Sequence, residues 1–297
     1  MRFGTVLRDD GVVVPVLARQ GDLVDLAALA ALWATKVPAP GRVFVTAWES
    51  GDADLVALVH TAMSGNPADL PLLFMDSAHF LPPVPDAATV LAVGLNYLSH
   101  CAEQGKAPPI TPMFFAKLAS SLSGHGAPIP AWHVTAELDF EGELAVIIGR
   151  GGRAIPEAQA LDHVFGYTIL NDVTARDLQR NDRQWTRAKG LDGFAPMGPL
   201  VVTRDEIPDP QALHIRTWVN GELRQDGTTD DMAFSVARIV AIASEAITLR
   251  TGDVITTGTP SGVGVYDKPP RFLVPGDVVQ IKIDGIGELQ NTVGAVA

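Results

Sequence analysis

The chain has 297 residues and a formal net charge of −12, and 47% of its residues are hydrophobic while 19% are charged. This composition predicts a protein that is folded almost throughout, and the acidic charge argues against a nucleic-acid-binding surface, which needs clustered Lys and Arg. The N-terminus lacks an apolar signal segment, and no apolar run of about 18 residues occurs. We therefore expect a cytoplasmic protein with no membrane partner.

Residues 1–85 show a mixture of short extended and helical patterns. Extended runs occur at residues 11–17 and 41–45, and a helical pattern begins within residues 22–29. These patterns predict a small N-terminal α+β domain. The proline-rich stretch at residues 80–85 cannot continue a helix or the interior of a sheet, so it marks the predicted end of this domain.

The second predicted domain, residues 86–297, carries many strand patterns and few helical ones. Asn220-Gly221 lies between two strand patterns and is a strong hairpin turn signal, while helical spacing of apolar residues predicts a helix over residues 234–245. The predicted fold class is therefore α+β, mainly β. The predicted strands cover residues 89–93, 145–148, 200–202, 214–220, 253–257 and 277–283.

His100 and Glu103 are three positions apart in a segment flanked by Gly94 and Gly105. On a short helix the two side chains would share one face, so Glu103 could accept a hydrogen bond from one imidazole nitrogen and leave the other to take a proton from water. On spacing alone, an ordinary surface contact is the commoner outcome. The glycines would allow the segment to move as a lid. The single cysteine, Cys101, is expected to be an inert thiol.

Glu141 and Glu143 stand one residue apart at a predicted strand end, and Asp172 ends the next strand-like run. Side chains at positions i and i+2 of a strand point to one face, so the two glutamates would repel each other unless a cation lay between them. A solvated strand face is the alternative for these two residues alone. Asp172 favours the cation, because an unpaired carboxylate in its apolar stretch would be costly to bury. Oxygen ligands without cysteine suggest Mg²⁺ or Mn²⁺ before Ca²⁺.

Two later segments could contribute to the same site. Lys189 could form a surface ion pair with Asp192 or, near a metal, could stabilise an oxyanion. Residues 256–264 are rich in Gly and Thr but lack the Lys-Ser/Thr ending of a phosphate loop, so nucleotide binding is disfavoured. Backbone amides and a Thr hydroxyl there could instead hold a substrate carboxylate.

Several motifs occur together in an order that resembles the fumarylacetoacetate hydrolase superfamily, β-rich metal-dependent enzymes that cleave or rearrange 1,3-diketo and 2-oxo acids. The resemblance covers about residues 88–293, and residues 1–85 resemble the variable N-terminal domain of longer bacterial members. It implies a β-rich catalytic domain of the mixed β-sandwich or roll type. The motifs lie at residues 93–97, 139–143, 171–177, 189–192, 220–222 and 257–264.

The resemblance also implies roles for individual residues. Glu141, Glu143 and Asp172 would be the ligands of Mg²⁺, with Mn²⁺ or Ca²⁺ as alternative ions. One departure from the family is Leu95, where some acylpyruvate-cleaving relatives have Arg to hold a substrate carboxylate. The implied catalytic residues are His100, Glu103 and Lys189, and the implied substrate-binding residues are Arg176, Gln179 and Thr259.

The implied activity is metal-dependent hydrolysis of a C–C bond in a 1,3-diketo acid such as an acylpyruvate or fumarylpyruvate, with the resulting enolate stabilised by the ion. The alternatives are decarboxylation of oxaloacetate or another 2-oxo acid and isomerisation of a 2-hydroxy-dienoate. His100 and Glu103 favour hydrolysis, since decarboxylation needs no activated water. A non-enzymatic, metal-stabilised binding module is an alternative of another class. The resemblance further implies a homodimer that takes a small-molecule diketo or 2-oxo acid.

Overall fold

The computed structural model describes residues 1–296, and within them the chain forms 19 β-strands and seven α-helices. The strands are β1 (Arg2–Leu7), β2 (Val13–Arg19), β3 (Asp22–Asp25), β4 (Leu72–Phe74), β5 (His79–Leu81), β6 (Val90–Gly94), β7 (Met113–Lys117), β8 (Leu122–Ser123), β9 (Ile129–Ala131), β10 (Leu138–Asp139), β11 (Gly142–Ile148), β12 (Val164–Asn171), β13 (Thr174–Ala175), β14 (Ala195–Thr203), β15 (His214–Val219), β16 (Glu222–Thr228), β17 (Val254–Thr256), β18 (Val278–Ile283) and β19 (Gly287–Val296). The helices are α1 (Leu26–Leu32), α2 (Arg42–Glu49), α3 (Ala53–Ser64), α4 (Leu98–Glu103), α5 (Arg176–Asn181), α6 (Thr186–Lys189) and α7 (Val236–Ser244).

Most of the strands belong to two sheets. The larger has 12 strands, with the main order β4-β3-β2-β1-β14-β12-β11-β17-β6-β7, while β5 pairs with β1 and β8 with β14. The smaller has five strands in the order β16-β15-β18-β19-β9, and β10 pairs separately with β13. This architecture confirms the predicted α+β, mainly β fold class.

Strand β11 shows how the layers pack, because its side chains alternate between two cores. Leu144, Val146 and Ile148 are buried in a cluster with residues of β15, β18, β19 and α7. Ala145 and Ile147 are buried on the opposite face, in a cluster with residues of α1, α2 and α3. A strand covered on both faces reads as a continuous apolar run, which is what the sequence has here.

The N-terminal segment, residues 1–85, joins the larger sheet directly. Strand β1 runs antiparallel to β14, with Phe3 opposite Val201, and both side chains lie in the core that also contains Ala145. The segment does contain the mixed strands and helices expected of it, but its strands extend the main sheet. The division of the chain between residues 85 and 86 stays a prediction.

Most predicted elements occur in the structure, including the hairpin at Asn220-Gly221, which connects β15 to β16. The bounds differ in places, because β14 begins five residues before its predicted start, and residues 22–25 of the predicted helical pattern form β3. The extended run predicted at residues 41–45 is wrong, because α2 begins there. Phe44 and Val45 are buried whereas Val43 is 57% exposed, so the apolar residues form one helix face instead of a strand face. The ring of Phe44 packs edge-on against Phe3 at 5.1 Å.

Helices are short throughout the described chain. Among residues 1–296, none combines the length and the apolar character that a membrane crossing requires.

Candidate active site

The pairing of β11 with β12 brings three carboxylates together. Gly142 lies opposite Asn171, and the backbone N–H of Asp172 donates to the carbonyl of Glu141 at 2.8 Å. Glu141, Glu143 and Asp172 each offer an oxygen within 4.8 Å of the others. All three are buried, at 6%, 1% and 1% exposure, so the alternative of a solvated strand face does not hold.

Two buried lysines neutralise part of this negative charge. Lys189, at the end of α6, donates to Glu141 Oε2 at 2.8 Å and to Asp172 Oδ2 at 2.6 Å, so the alternative of a surface pair with Asp192 does not hold. Lys117, at the end of β7, donates to Asp172 Oδ1 at 2.5 Å and also to the carbonyl of Lys189. Lys189 additionally donates to the hydroxyl of Thr174 at 2.8 Å.

Burial and neighbouring charges separate the pKa values of the two glutamates. Burial alone would raise the pKa of Glu141, but the positive charges of Lys189 and Arg176 outweigh it and lower that pKa to about 2. Burial raises the pKa of Glu143 well above its ordinary value, and the charges of Asp172 and Glu141 raise it further. Glu143 therefore carries the least compensated charge of the three.

The donor atoms fit a hard divalent cation. The three convergent carboxylates supply only oxygen ligands, which Mg²⁺, Mn²⁺ and Ca²⁺ prefer. Two hydrogen bonds fix the orientation of the Glu143 carboxylate. Its Oε2 accepts from the Thr256 hydroxyl and from the Gly258 N–H, the latter at 2.8 Å. An added positive charge would also relieve the repulsion that raises the pKa of Glu143. The structure thus supports a divalent metal site at these three residues.

Arg176 connects this cluster to the neighbouring loop. Its Nε donates to Asp139 Oδ2 at 2.8 Å, and its Nη1 pairs with Glu141 Oε1 at 2.7 Å and with Gln179 Oε1 at 3.1 Å. Asp139, completely buried, also accepts from the backbone N–H of Gly264 at 2.9 Å. Nη2 of Arg176 is buried and has no hydrogen-bond partner within residues 1–296.

The His100 and Glu103 side chains meet on α4, where His100 is only 5% exposed. His100 Nδ1 lies 2.9 Å from Glu103 Oε2, and the other oxygen of Glu103 accepts from the Gly262 N–H at 2.8 Å. The second imidazole nitrogen, Nε2, lies 2.7 Å from the side-chain nitrogen of Gln104. The pair is therefore built into the structure and is not a loose surface contact.

Thr259 lies on the loop that follows β17. Its hydroxyl donates to the carbonyl of Gly142 at 2.9 Å and accepts from Gln225 Nε2 at 2.7 Å. Gly258, beside it, has a φ of +91°, and a Cβ there would come within 2.9 Å of Asn96. Glycine is thus required for the loop to bring its backbone N–H to Glu143.

These groups surround a cavity of about 250 Å³. Glu103 and Asp172 do not line the cavity, but they contact the lining residues His100 and Lys189, respectively. Leu95 faces the cavity from a left-handed backbone conformation, with φ of +57°, at the position where the resemblance would have allowed Arg. The predicted site residues that line the cavity are His100, Glu141, Glu143, Arg176, Gln179, Lys189 and Thr259.

Three residues of the site were missed by the sequence analysis. Lys117 ends an apolar strand pattern, so it looks like an ordinary strand terminus. Asp139 lies inside the Asp-Phe-Glu-Gly-Glu motif, but its ion pair with Arg176 depends on a contact across 37 positions. Gln104 follows Glu103 directly, and its spacing of four from His100 was the one available signal.

Comparison with known proteins identifies the family of this chain. The family described as "Fumarylacetoacetate (FAA) hydrolase C-terminal" matches residues 89–294. The chain is 41% identical over 275 residues to "Oxaloacetate tautomerase fahd2, mitochondrial" of Xenopus laevis, covering 92% of this chain and 83% of that protein. It is 46% identical over 216 residues to "Oxaloacetate tautomerase YisK" of Bacillus subtilis, covering 71% and 72% of the two chains.

Solved structures agree over nearly the whole length. The fumarylacetoacetate hydrolase of Exiguobacterium antarcticum has a TM-score of 0.82 at 39% identity, with 99% of each chain covered. The 2-hydroxyhepta-2,4-diene-1,7-dioate isomerase of Mycobacterium marinum has a TM-score of 0.75 at 34% identity, covering 99% of this chain and 98% of that one. The maleylpyruvate hydrolase of Sphingobium sp. SYK-6, solved with manganese(II) and pyruvate, has a TM-score of 0.80 at 28% identity, with both chains covered completely. This chain belongs to the fumarylacetoacetate hydrolase family.

Proposed function

We propose that this protein is a metal-dependent enzyme that enolises small 2-oxo acids, and that it interconverts the keto and enol forms of oxaloacetate. The observation that carries the proposal is that one cavity is lined by the carboxylates of Glu141 and Glu143 and by the imidazole of His100. Glu103 contacts that imidazole from outside the lining. The two curated relatives described above, at 41% and 46% identity, are named as oxaloacetate tautomerases. Keto–enol interconversion is therefore placed ahead of C–C hydrolysis, which the sequence alone favoured.

Glu141, Glu143 and Asp172 would hold the ion, with Mg²⁺ preferred and Mn²⁺ as the alternative. A bound divalent ion supplies a Lewis acid that polarises the 2-oxo group and stabilises negative charge on its oxygen. The remaining chemistry belongs to the side chains of this chain.

His100 is the proposed base. A carboxylate such as that of Glu103 can only accept, so in the neutral imidazole the proton lies on Nδ1 and Nε2 carries the lone pair. Nε2 would take the C3 proton of the keto form, the electrons of that C–H bond becoming the C2=C3 double bond while charge moves to the 2-oxo oxygen. His100 would then return the proton to that oxygen to give the enol. Glu103 stabilises the imidazolium that forms between the two transfers.

Lys189 and Arg176 would provide positive potential next to the oxygen that gains charge. Both are buried, and ion pairs hold both in place, so little reorganisation would be needed during the reaction. Gln179 and Thr259 line the same cavity and are proposed to contact the substrate.

Hydrolysis of a C–C bond in an acylpyruvate is the second candidate. The same Nε2 atom could take a proton from water, and the maleylpyruvate hydrolase of Sphingobium sp. SYK-6 shares the fold at a TM-score of 0.80. Leu95 counts against it, since some acylpyruvate-cleaving relatives carry Arg at this position. Oxaloacetate decarboxylation and dienoate isomerisation would use the same enolisation. A homodimeric assembly remains part of the proposal on family grounds.

The test compares three reactions of the protein loaded with Mg²⁺ or Mn²⁺. Enol-oxaloacetate is followed as it converts to the keto form, oxaloacetate is followed for release of pyruvate and CO₂, and acetylpyruvate is followed for cleavage. We expect tautomerisation to be the fastest of the three. Faster cleavage of acetylpyruvate would replace the proposal with the hydrolase, and no turnover of any of them would support the binding-module alternative.

The control uses two matched substitutions of glutamate by glutamine. Glu141→Gln removes a charge from the carboxylate triad and should abolish both metal binding and activity. Glu245→Gln removes the same charge from an exposed position at the end of α7 and should change neither. Equal activity of the two variants would contradict a role for the triad.

A further inference from the structure

A chain of hydrogen bonds runs from the mouth of the cavity to the proposed base. Lys106 Nζ donates to Gln104 Oε1 at 2.8 Å, and Gln104 Nε2 lies 2.7 Å from His100 Nε2. The chain continues through His100 Nδ1 to Glu103 at 2.9 Å. Lys106, Gln104 and His100 all line the cavity.

The direction of this chain is fixed by chemistry. An ammonium group can only donate, so the Gln104 oxygen must face Lys106 and the amide NH₂ must face His100. Nε2 of His100 is therefore the acceptor, and Nδ1 carries the proton that goes to the carboxylate of Glu103. One assignment of donors and acceptors satisfies every contact.

The backbone holds both outer members of the chain in place. The N–H of Lys106 donates to the carbonyl of Cys101 at 2.9 Å, and the N–H of Gly105 donates to the carbonyl of Ala102 at 3.0 Å. Gly105 has a φ of +64°, and this pattern is the Schellman ending of a helix. Gln104 and Lys106 thus follow α4 in a defined turn, and only their side chains need to move.

The arrangement has a cost for catalysis. His100 is in the tautomer that a base requires, but its lone pair is occupied by the Gln104 amide. No proton can be taken by Nε2 until that amide turns away. Lys106, which holds the amide oxygen, is exposed and forms no ion pair within the described residues 1–296. An anion entering the mouth of the cavity would compete with Gln104 for this free cation.

We propose that Gln104 and Lys106 gate the base, and that the gate is opened by a carboxylate at the far end of the substrate, which marks the substrates as 2-oxo dicarboxylates. The carboxylate pairs with Lys106, the Gln104 amide loses its partner and turns toward the same anion, and the His100 lone pair is released. This inference rests on the proposed function, because it takes His100 as the base. Gln104 and Lys106 act as positioning and specificity residues.

The first test is kinetic and compares oxaloacetate with pyruvate, which lacks the second carboxylate. Pyruvate enolisation is measured as exchange of its methyl protons with deuterated solvent. Lys106→Met should lower kcat/KM for oxaloacetate by about 10- to 100-fold, the value of a charge-assisted hydrogen bond. The same variant should raise pyruvate exchange, because the Gln104 amide loses the partner that holds it against His100. Gln104→Ala should raise pyruvate exchange by up to about tenfold, because the lone pair is then free.

The second test detects release of the His100 lone pair directly, without any turnover of substrate. Histidine labelled with ¹⁵N is observed in the Mg²⁺-loaded protein, and the His100 signals are assigned from their loss in His100→Ala. The probes are 3,3-difluorooxaloacetate, which has no C3 proton to lose, and oxalate, which has no distal carboxylate. The chemical shift of Nε2 should change when 3,3-difluorooxaloacetate binds and should stay the same when oxalate binds. In Lys106→Met it should stay with both.

Lys36→Met is the matched control, since it removes an exposed lysine from the N-terminal segment, away from the cavity. It should behave as the wild type in both tests. Equal responses of Nε2 to the two probes, or an unchanged preference for oxaloacetate over pyruvate in Gln104→Ala and Lys106→Met, would overturn the gate. Failure of the proposed function would appear differently, as absence of oxaloacetate turnover in the wild type, and the resonance test would still decide whether the gate exists.

Discussion

Lys117 Nζ lies 2.5 Å from Asp172 Oδ1, and neither side chain is more than 1% exposed. Burial lowers the pKa of Lys117, while the negative charge of Asp172 opposes that decrease. The pair joins the end of β7 to the end of β12. Lys117 thereby fixes one of the three carboxylates without facing the cavity.

Replacing Lys117 should affect the metal-free protein most. Lys117→Met leaves Asp172 with only Lys189 for charge compensation, and breaking a buried pair typically costs about 3–5 kcal/mol of unfolding free energy. A divalent ion would supply the missing charge, so the loss should be smaller with saturating Mg²⁺. Denaturant unfolding with chelator and with Mg²⁺ measures both values. The same loss in the two conditions would contradict compensation by the ion.

The candidate site was predictable where it depends on local spacing. Glu141 and Glu143 converge because a strand repeats every two residues, and His100 reaches Glu103 because a helix brings positions i and i+3 together. Lys117 was not predictable in this way. Its partner Asp172 is 55 positions away, and only the tertiary fold brings them together.

The fold, like the site, was predictable only where it depends on local sequence. Apolar runs with turn signals located several of the longer strands, among them β15 and β18, and the hairpin at Asn220-Gly221. The pairing of Phe3 with Val201 could not be inferred, because nothing local to β1 specifies a partner about 200 residues later in the chain. The misread segment at residues 41–45 has β-branched and aromatic residues typical of strands, yet packing of Phe44 and Val45 on the sheet favours the helix.

Loss of one carboxylate should abolish the response of stability to metal. In the wild type, Mn²⁺ at about 100 times its Kd should stabilise the folded state by about 2.7 kcal/mol, since it binds the native protein. Glu143→Gln should show almost no increase in Tm with Mn²⁺. Its metal-free Tm should not fall, because the substitution removes the least compensated charge. A full Mn²⁺ response in this variant would exclude Glu143 as a ligand.

Arg176 should prove more important for stability than Gln179. Arg176→Met leaves Asp139 and Glu141 buried without their shared guanidinium partner, which typically costs about 3–5 kcal/mol. Gln179→Leu removes a single hydrogen bond at 3.1 Å and should cost about 1 kcal/mol. Chemical denaturation of the two variants compares them directly. A larger loss for Gln179→Leu would show that the network is organised differently.

Substitutions of His100 and of Glu103 should lower the rate by different factors. His100→Ala removes the proposed base and should lower kcat by about 10²- to 10⁴-fold. Glu103→Gln keeps the shape but cannot accept from both His100 and Gly262, so we expect a smaller loss of about tenfold to 100-fold. Mn²⁺ affinity, measured by electron paramagnetic resonance, should be unchanged in both. Wild-type turnover in His100→Ala would reject the base assignment.

Asp177 should make stability depend on pH at the start of α5. Burial opposes ionisation, but hydrogen bonds from the Thr135 hydroxyl at 2.6 Å and from the Ala136 N–H at 3.0 Å prevail and lower the pKa of Asp177 below 3.8. A lowered folded-state pKa contributes stability that is fully present above the unfolded value of 3.8 and is lost as pH falls through the folded value. Asp177→Asn should therefore be less stable than the wild type by about 1 kcal/mol at neutral pH. The difference should shrink as the pH falls below 3.8, and a gap that is constant down to acid unfolding would show that packing, not charge, sets the contribution of Asp177.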